Sequence, residues 1–358
     1  MFRRVTIIRT WRAEFLWALA CFAAIQLALA VAIERWLQDV RDPEYVEKLE
    51  RLQARQSETP HARLVLVLGS SRTLLGLEAG RLSESLKDEN TLVFNFGLKG
   101  VGPRLQLVYL RRLLAAGVQP DWLFVEVIPV LFNHSAERTL EEDWFNGARL
   151  GRTEVRFLRP YCSQPLRLMR QWWLGRCLPC SIHHEELRDF LALDASEDGL
   201  AYPSAMGKMD DYGWQPVVST VSPDQRQRST ELTHRQYAPS FRGFELAARP
   251  AQALYDLLKL CRARGIRVAL LVPPEGSEFR ALYTPAMNAG ADRLLKTLSK
   301  SFEVPLIDAR TWVPDSCFWD SHHLLPDGAA AFTTRFECEA LRPLLQAKPS
   351  PPCELPAD

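Results

Sequence analysis

The sequence has almost no net charge: 44 Lys and Arg stand against 43 Asp and Glu, a formal +1 at pH 7. Without a basic excess there is no electrostatic pull on a polyphosphate, so nucleic acid is excluded as an expected partner. Metal-ligand spacing is also missing. Cys177-Leu178-Pro179-Cys180 is the one close cysteine pair, and no second C-x-x-C or neighbouring histidine pair completes a four-ligand site. No nucleotide-binding motif is present either, so neither a metal nor a cofactor is expected. Of the eight cysteines, Cys21 lies in an N-terminal apolar run and an odd seven remain. A local Cys177–Cys180 disulfide is the expectation if that part of the chain is exported. What the chain does have is 358 residues, 47% of them hydrophobic and 24% charged, an ordinary globular composition able to fill a core.

Arg3, Arg4, Arg9 and Arg12 precede an apolar stretch from Phe15 to Ile33, interrupted only by Gln26. At ~1.5 Å per residue this run matches the hydrocarbon thickness of a bilayer. The arginines would stay in the cytoplasm and the bulk of the chain would cross. Ala28-Leu29-Ala30 resembles a signal-peptidase site, but the run exceeds the usual ~7–15-residue signal core, which favours an uncleaved anchor. The expectation is a single-pass protein of the cytoplasmic (inner) membrane with its domain outside the cytoplasm. Residues 1–36 would hold the N-terminus and anchor. Residues 37–60, with Leu37, Val40, Tyr45, Leu49 and Leu52 spaced among charges, would be a helical stalk.

Strands and helices then alternate. Strands are expected at Arg63–Leu68, Thr91–Asn95, Trp122–Ile128, Arg267–Val272 and Val304–Ile307. Helices are expected at Leu77–Leu86, Leu105–Ala116, Ala251–Arg264, Gly290–Ser301 and Gly328–Leu345. Nearly continuous apolar strands separated by helices describe a parallel sheet covered on both faces. The fold class is α/β, a flavodoxin-like three-layer sandwich with five parallel strands, carried by residues 61–132 and 246–346. Between them the periodicity lapses, and residues 133–245 read as a large insertion or lid with one helix at His183–Leu193. Its Trp144, Phe145, Trp172, Trp173, Tyr202, Tyr212 and Trp214 would line a carbohydrate cleft or form the insertion's own small core. Residues 347–358 read as a disordered tail.

Ligands of such a sheet sit at the carboxyl ends of its strands, and the reactive side chains fall there. Leu64-Val65-Leu66-Val67-Leu68-Gly69-Ser70-Ser71-Arg72 runs a buried strand into a small-residue turn presenting Ser71. Gly97 to Gly100 follow strand two, Asn133 lies past strand three, and Asp320 and His323 follow strand five. A serine hydroxyl needs a base, and the base needs an acid to fix its tautomer. Asp320 and His323 would do both from one loop, with His322 as the rival base. Backbone N–H groups of Ser71 and Gly100 would form an oxyanion hole. Arg72 and Glu275 are candidates for the mouth of the site, with Trp172 and Trp173 as further substrate contacts. Asp308 reads as a cap on the last strand.

The set Gly69-Ser70-Ser71, Asn95-Phe96-Gly97-Leu98-Lys99-Gly100, and Asp320-Ser321-His322-His323-Leu324 with Gly328 resembles the SGNH (GDSL-type) hydrolase superfamily. The resemblance covers roughly residues 62–130 and 248–345. It implies Ser71 as nucleophile, Gly100 as oxyanion glycine, Asp320 as acid and His323 as base. The anchor, Ser70 in place of the usual aspartate, and Leu271-Val272-Pro273-Pro274-Glu275 are similar to the membrane-anchored acyl-transfer branch. That branch includes the D-alanyl transfer protein of teichoic acid modification and the alginate O-acetylation proteins. One departure is clear: the superfamily's third block supplies an asparagine in G-x-N-D, and this chain has Ile128-Pro129-Val130, with Asn133 three residues later. Either Asn133 reaches back as a third oxyanion-hole residue or the hole has only two backbone donors.

The implied activity is transfer or removal of an acyl group on a cell-envelope polysaccharide or polymer through a seryl ester. A multispanning membrane acyltransferase is an implied partner for delivery of the acyl donor. A catalytically silent scaffold of the same fold, or a lipolytic esterase with the insertion as lid, are the alternatives the sequence leaves open.

Overall fold

Strands apolar on both faces can be buried only between two layers of helix, and the chain builds that arrangement. The computed structural model describes residues 2–133, 140–191, 207–217 and 221–347, so Tyr202 and the tail from Lys348 lie outside the described residues. In chain order the main helices are α1 (Phe2–Arg35), α2 (Pro43–Glu58), α3 (Ser71–Gly76), α4 (Ala79–Ser85), α5 (Pro103–Ala115) and α6 (Pro165–Cys177). They continue with α7 (Pro179–Ile182), α8 (His184–Phe190), α9 (Pro223–Tyr237), α10 (Ala248–Ala263), α11 (Pro285–Phe302) and α12 (Pro326–Phe336). Strands β1 (Arg63–Gly69), β2 (Thr91–Gly97), β3 (Trp122–Glu126), β4 (Arg267–Val272) and β5 (Leu306–Asp308) form one parallel sheet in the order β2-β1-β3-β4-β5. This is the flavodoxin-like order.

Alternate residues serve opposite layers. Leu64, Leu66, Leu68, Phe94 and Phe96 pack with α5 and α10, whereas Val65, Val67, Val93 and Phe124 pack with α4 and α12. In the register Gly69 lies opposite Gly97 and Leu68 opposite Val125, so the chain leaves β1, β2 and β3 at one level. That levelling delivers the turn after β1 and the glycine loop after β2 to the same edge.

Three expectations need correction. The first is the stalk. Helix α2 lies on the domain, with Tyr45 and Leu52 in the main core and Tyr45 stacked on Tyr109 at 5.5 Å. Arg112 of α5 reaches Asp42 at 2.6 Å, and buried Lys48 donates to the Asn95 and Gly213 carbonyls at 2.8 and 2.6 Å. The spaced apolar residues of α2 face the sheet's β2 side, so no free segment separates α1 from the domain.

The insertion, second, is largely helical. Besides the one helix foreseen, which is α8, it contains α6, α7 and α9 and short helices at Leu140–Trp144 and Arg152–Leu158. Phe145 joins the main core, with Trp172 and Tyr212 packed against it, and the Trp214 indole donates to the Leu75 carbonyl. Most of the aromatic set is therefore packing. Asn95 N–H pairs with the Tyr212 carbonyl at 2.9 Å, covering part of the β2 edge. Third, Cys177 and Cys180 are free thiols, one ending α6 and the other inside α7.

Lys48 makes stability depend on pH. Burial lowers its pKa from 10.5 to about 7, against the opposing pull of Glu44 and Asp210. Between these values the unfolded chain holds the proton and the folded chain does not, so stability gains from this group as pH rises from about 7 to 10. Below pH 7 both states are charged and the full cost of burying the ammonium remains. Chemical denaturation of the detergent-solubilised chain at pH 6 and pH 9.5 should show the wild type gaining up to a few kcal/mol on Lys48→Met over that interval. A pH-independent difference between the two would show that Lys48 stays charged.

Candidate active site

The turn after β1 is held from beneath by a carboxylate that the sequence reading did not single out. Glu126, the last residue of β3, is buried and accepts the Ser70 N–H at 3.1 Å and the Thr73 N–H at 3.0 Å. It also accepts the Thr73 hydroxyl. Ser70 caps α3 by taking the Arg72 N–H at 3.1 Å, which leaves Ser71 as the first helical residue and half-buried. Gly69 is required by this crowding, because a Cβ there would lie 2.1 Å from Thr73 Oγ1 and 2.8 Å from Glu126 Oε2. Gly97 is required similarly, its Cβ position lying 2.3 Å from the Leu74 nitrogen. Asn95, also buried, donates through Nδ2 to the carbonyls of Thr73 at 2.7 Å and Leu77 at 2.9 Å, tying α3 to β2.

From the opposite end of the chain, the loop after β5 brings His323 to Ser71. Ser71 Oγ lies 2.9 Å from His323 Nε2, and His323 Nδ1 lies 2.8 Å from Asp320 Oδ2. Asp320 Oδ1 accepts the backbone N–H groups of His323 at 2.8 Å and His322 at 3.2 Å, so the carboxylate shapes the loop that carries its partner. Ser321 completes the bend with φ +71°. Burial alone would raise the Asp320 carboxyl, but the imidazoles of His322 and His323 and the hydrogen bonds from His323 override it. The acid is held well below the usual carboxylate range.

His322 does not contact Ser71 by any described hydrogen bond. Its ring lies on His323 with centroids 3.9 Å apart and beside Tyr237 and Phe279, and its Nδ1 approaches Asp320 Oδ1 at 3.3 Å. Burial among these rings pushes its pKa well below 6.5, despite Asp320. Asp320, His322 and His323 bring three metal-capable atoms within 4.8 Å of one another. His323 is taken up by Ser71 on one side and Asp320 on the other, so the group closes as a hydrogen-bonded chain.

Other expected site residues lie elsewhere. Asn133 gives both amide hydrogens to the Ser240 and Gly243 carbonyls at 2.7 and 3.1 Å, and its Oδ1 accepts the Glu245 N–H. It staples the two ends of the insertion together and has no hydrogen left for an oxyanion. Arg72 and Glu275 are buried and paired at 2.7 Å, with Arg72 over the Phe279 ring and Tyr283 donating to Glu275 at 2.9 Å. They brace the wall behind Ser71 and do not face a mouth. Trp172 and Trp173 sit on α6 against each other, and none of their described ring or polar contacts involves Ser71, His323 or Asp320. Gly100 is in the left-handed region at φ +69°, with Trp144 of the insertion over it. Asp308 holds Arg310, at 2.5 Å.

Beside the Asp320–His323 loop opens a cavity of about 640 Å³. Arg226, Gln227, Thr230, Glu231 and His234 of α9 line one side, and Ser277, Glu278, Asp315 and Ser321 the other. Thr233 of the same helix reaches Asp320 Oδ2 at 3.4 Å. The insertion thus supplies one wall of a cavity adjoining the Asp320–His323 loop.

Residues 33–151 match a protein family of unknown function, DUF1574. No curated protein matches the chain. Among solved structures, the psychrotrophic esterase EstA from Pseudoalteromonas sp. is 11% identical with a TM-score of 0.39, covering 80% of this chain and 100% of its own. A catalytic mutant of the acetylxylan esterase Axe2 from Geobacillus stearothermophilus is 12% identical with a TM-score of 0.37, covering 76% and 92%. AlinE4, an SGNH-hydrolase family esterase, is 14% identical with a TM-score of 0.33, covering 80% and 98%. At this level of likeness no activity or substrate passes from them to this chain.

Removing the Glu126 carboxylate should loosen the turn. Glu126→Ala strands two buried N–H groups at about 1–3 kcal/mol each, so the midpoint of chemical denaturation should fall clearly. An unchanged midpoint would show that the turn is held by other contacts.

Proposed function

We propose that the chain is a serine-dependent acyl-ester enzyme with Ser71 as nucleophile, His323 as general base and Asp320 as the orienting acid. The observation that carries this reading is the unbroken Ser71 Oγ–His323 Nε2–Asp320 hydrogen-bond chain, at 2.9 and 2.8 Å, assembled from residues more than 250 apart in sequence. With Nδ1 bound to an ionised Asp320, His323 presents Nε2 as acceptor for the Ser71 proton. Attack of Oγ on an ester carbonyl then forms a tetrahedral oxyanion. The N–H of Ser71, at the first helical position, has no partner within its helix and is suited to receive that charge, with Gly100 as the second donor. His323 returns its proton to the departing alcohol, leaving an acyl-enzyme that a hydroxyl acceptor or water resolves.

Transfer to a polyhydroxylated acceptor is the finer part of the proposal. The cavity beside Ser321 supports it, since its hydroxyls, amide, imidazole, guanidinium and three carboxylates suit a sugar more than an acyl chain. The one candidate membrane span among the described residues, Trp11–Arg35, supports an anchored enzyme, and the N-terminal arginines support a domain outside the cytoplasm acting on cell-envelope glycan. A membrane partner would then supply the acyl donor.

Labelling of the purified full-length protein with a fluorophosphonate probe tests the chemistry. Wild type should label, Ser71→Ala should not, and Asp320→Asn should label on the order of 10³–10⁴-fold more slowly. Equal labelling of wild type and Ser71→Ala would overturn the assignment.

A further inference from the structure

The anchor helix does not stand clear of the domain. Its second half packs against α6 and α7 of the insertion. Gln26, the single polar residue in the apolar run, is only 5% exposed and accepts the backbone N–H of Cys180 at 3.3 Å. Near the run's outer end, Glu34 pairs with Arg176 of α6 at 2.6 Å. Gln26 and Glu34 are eight residues apart along α1, so Cys180 lies ~12 Å further into the run than the ion pair. If α1 spans a bilayer, this geometry carries α7 and the end of α6 below the headgroups on the domain side.

The outward face of these helices has the composition for that depth. On α6, Leu166, Arg170, Trp173 and Cys177 are exposed at spacings of four, three and four, a single helical face. Leu166 is 75% exposed and Trp173 56%, with Leu178 at 39% and Ile182 at 37% continuing the surface onto α7. Phe190 and Leu191 extend it, at 51% and 57%. The inner face is closely packed, with Leu168 buried and a Cβ on Gly175 only 2.7 Å from that of Ala148. Apolar side chains exposed in this number are unfavourable in water, and the helices that carry them pack against α1, which itself exposes Phe22, Ile25 and Leu27.

We propose that α6 and α7 form a collar that inserts into the interfacial layer of the same bilayer that α1 spans, with lipid as the occupant of this face. Interfacial helices sink about 5–10 Å, close to the depth that the Gln26–Cys180 contact requires. Trp173 belongs at such a boundary, and Arg170 can extend its charge back to the headgroups. The Gln26–Cys180 hydrogen bond also satisfies a polar side chain and a backbone N–H that would otherwise each face hydrocarbon. The consequence is attachment at two places, which prevents the domain from rotating freely about α1. It assigns Trp173, expected as a substrate contact, to lipid.

This inference rests on the reading of α1 as a membrane span, and the test separates the two. Full-length protein is prepared with one cysteine, at Cys21, at Ile182→Cys, at Trp173→Cys or at Ser57→Cys, the other cysteines being replaced by serine. Each is labelled with an environment-sensitive fluorophore in phosphatidylcholine–phosphatidylglycerol liposomes. Lipids carrying a shallow acyl-chain nitroxide should quench the probes at 182 and 173 about threefold more than the probe at 57, with aqueous iodide giving the reverse order. Iodide-accessible probes at 182 and 173 beside a lipid-quenched Cys21 would overturn the collar and keep the anchor. Probes at 182 and 173 shielded from both quenchers would overturn it in favour of a protein contact such as a second copy. A Cys21 probe that lipid does not quench would remove the anchor and the collar together.

Discussion

A buried carboxylate fixes where chemistry can occur in this molecule. Glu126 ends β3 and takes hydrogen bonds from the turn that ends β1, so the geometry of Ser71 is set by the neighbouring strand as well as its own. Strand pairing alone would bring the turn to the correct edge with its backbone N–H groups unsatisfied. The carboxylate satisfies two of them, and Gly69 and Gly97 permit the close approach. Asn95 performs the same service on the far side of α3. The turn carrying Ser71 is thus gripped between β2 and β3 by contacts that do not involve His323.

The partner comes from a loop organised around a second buried carboxylate. Asp320 binds the backbone of the residues that follow it and the ring of His323, so loop shape and imidazole orientation depend on one group. The His322 ring on one side of His323 and the Arg72–Glu275 pair behind the turn add rigid packing without facing substrate. The insertion closes this arrangement from outside through α9, while two of its other helices, α6 and α7, pack against α1. One insertion therefore touches both the Asp320–His323 loop and the apolar N-terminal helix.

Much of the frame was legible from pattern. Five apolar runs, the turn glycines and the D-x-x-H segment could be read because their signals are local: period, spacing and residue type. The strand ends moved by only a few residues, and β4 agrees throughout. The residues that escaped were polar groups whose meaning comes from distant partners. Glu126 fell inside an apolar run read as a strand to Ile128, Asn95 looked like part of a glycine-rich motif, and Asn133 like an oxyanion donor because of its place after β3. Arg72 and Glu275 looked exposed because charged residues usually are, and their mutual pairing overturns that expectation. The 37–60 segment looked like a stalk because its charges outnumber its apolar residues, while Tyr45 and Leu52 were enough to seat it on the sheet.

The sequence by itself determined the α/β class, the parallel sheet, the N-terminal apolar run and the four residue types needed for serine chemistry at strand ends. These follow from short-range periodicity and from the backbone demands of glycine and proline. Tertiary structure alone decided that Ser71, His323 and Asp320 lie within hydrogen-bonding distance, that Asn133 does not join them, and that Gln26 has a partner. The reason is physical. Burial gives local patterning its energy, but a buried polar group must find a specific donor or acceptor, and that partner is chosen by the fold.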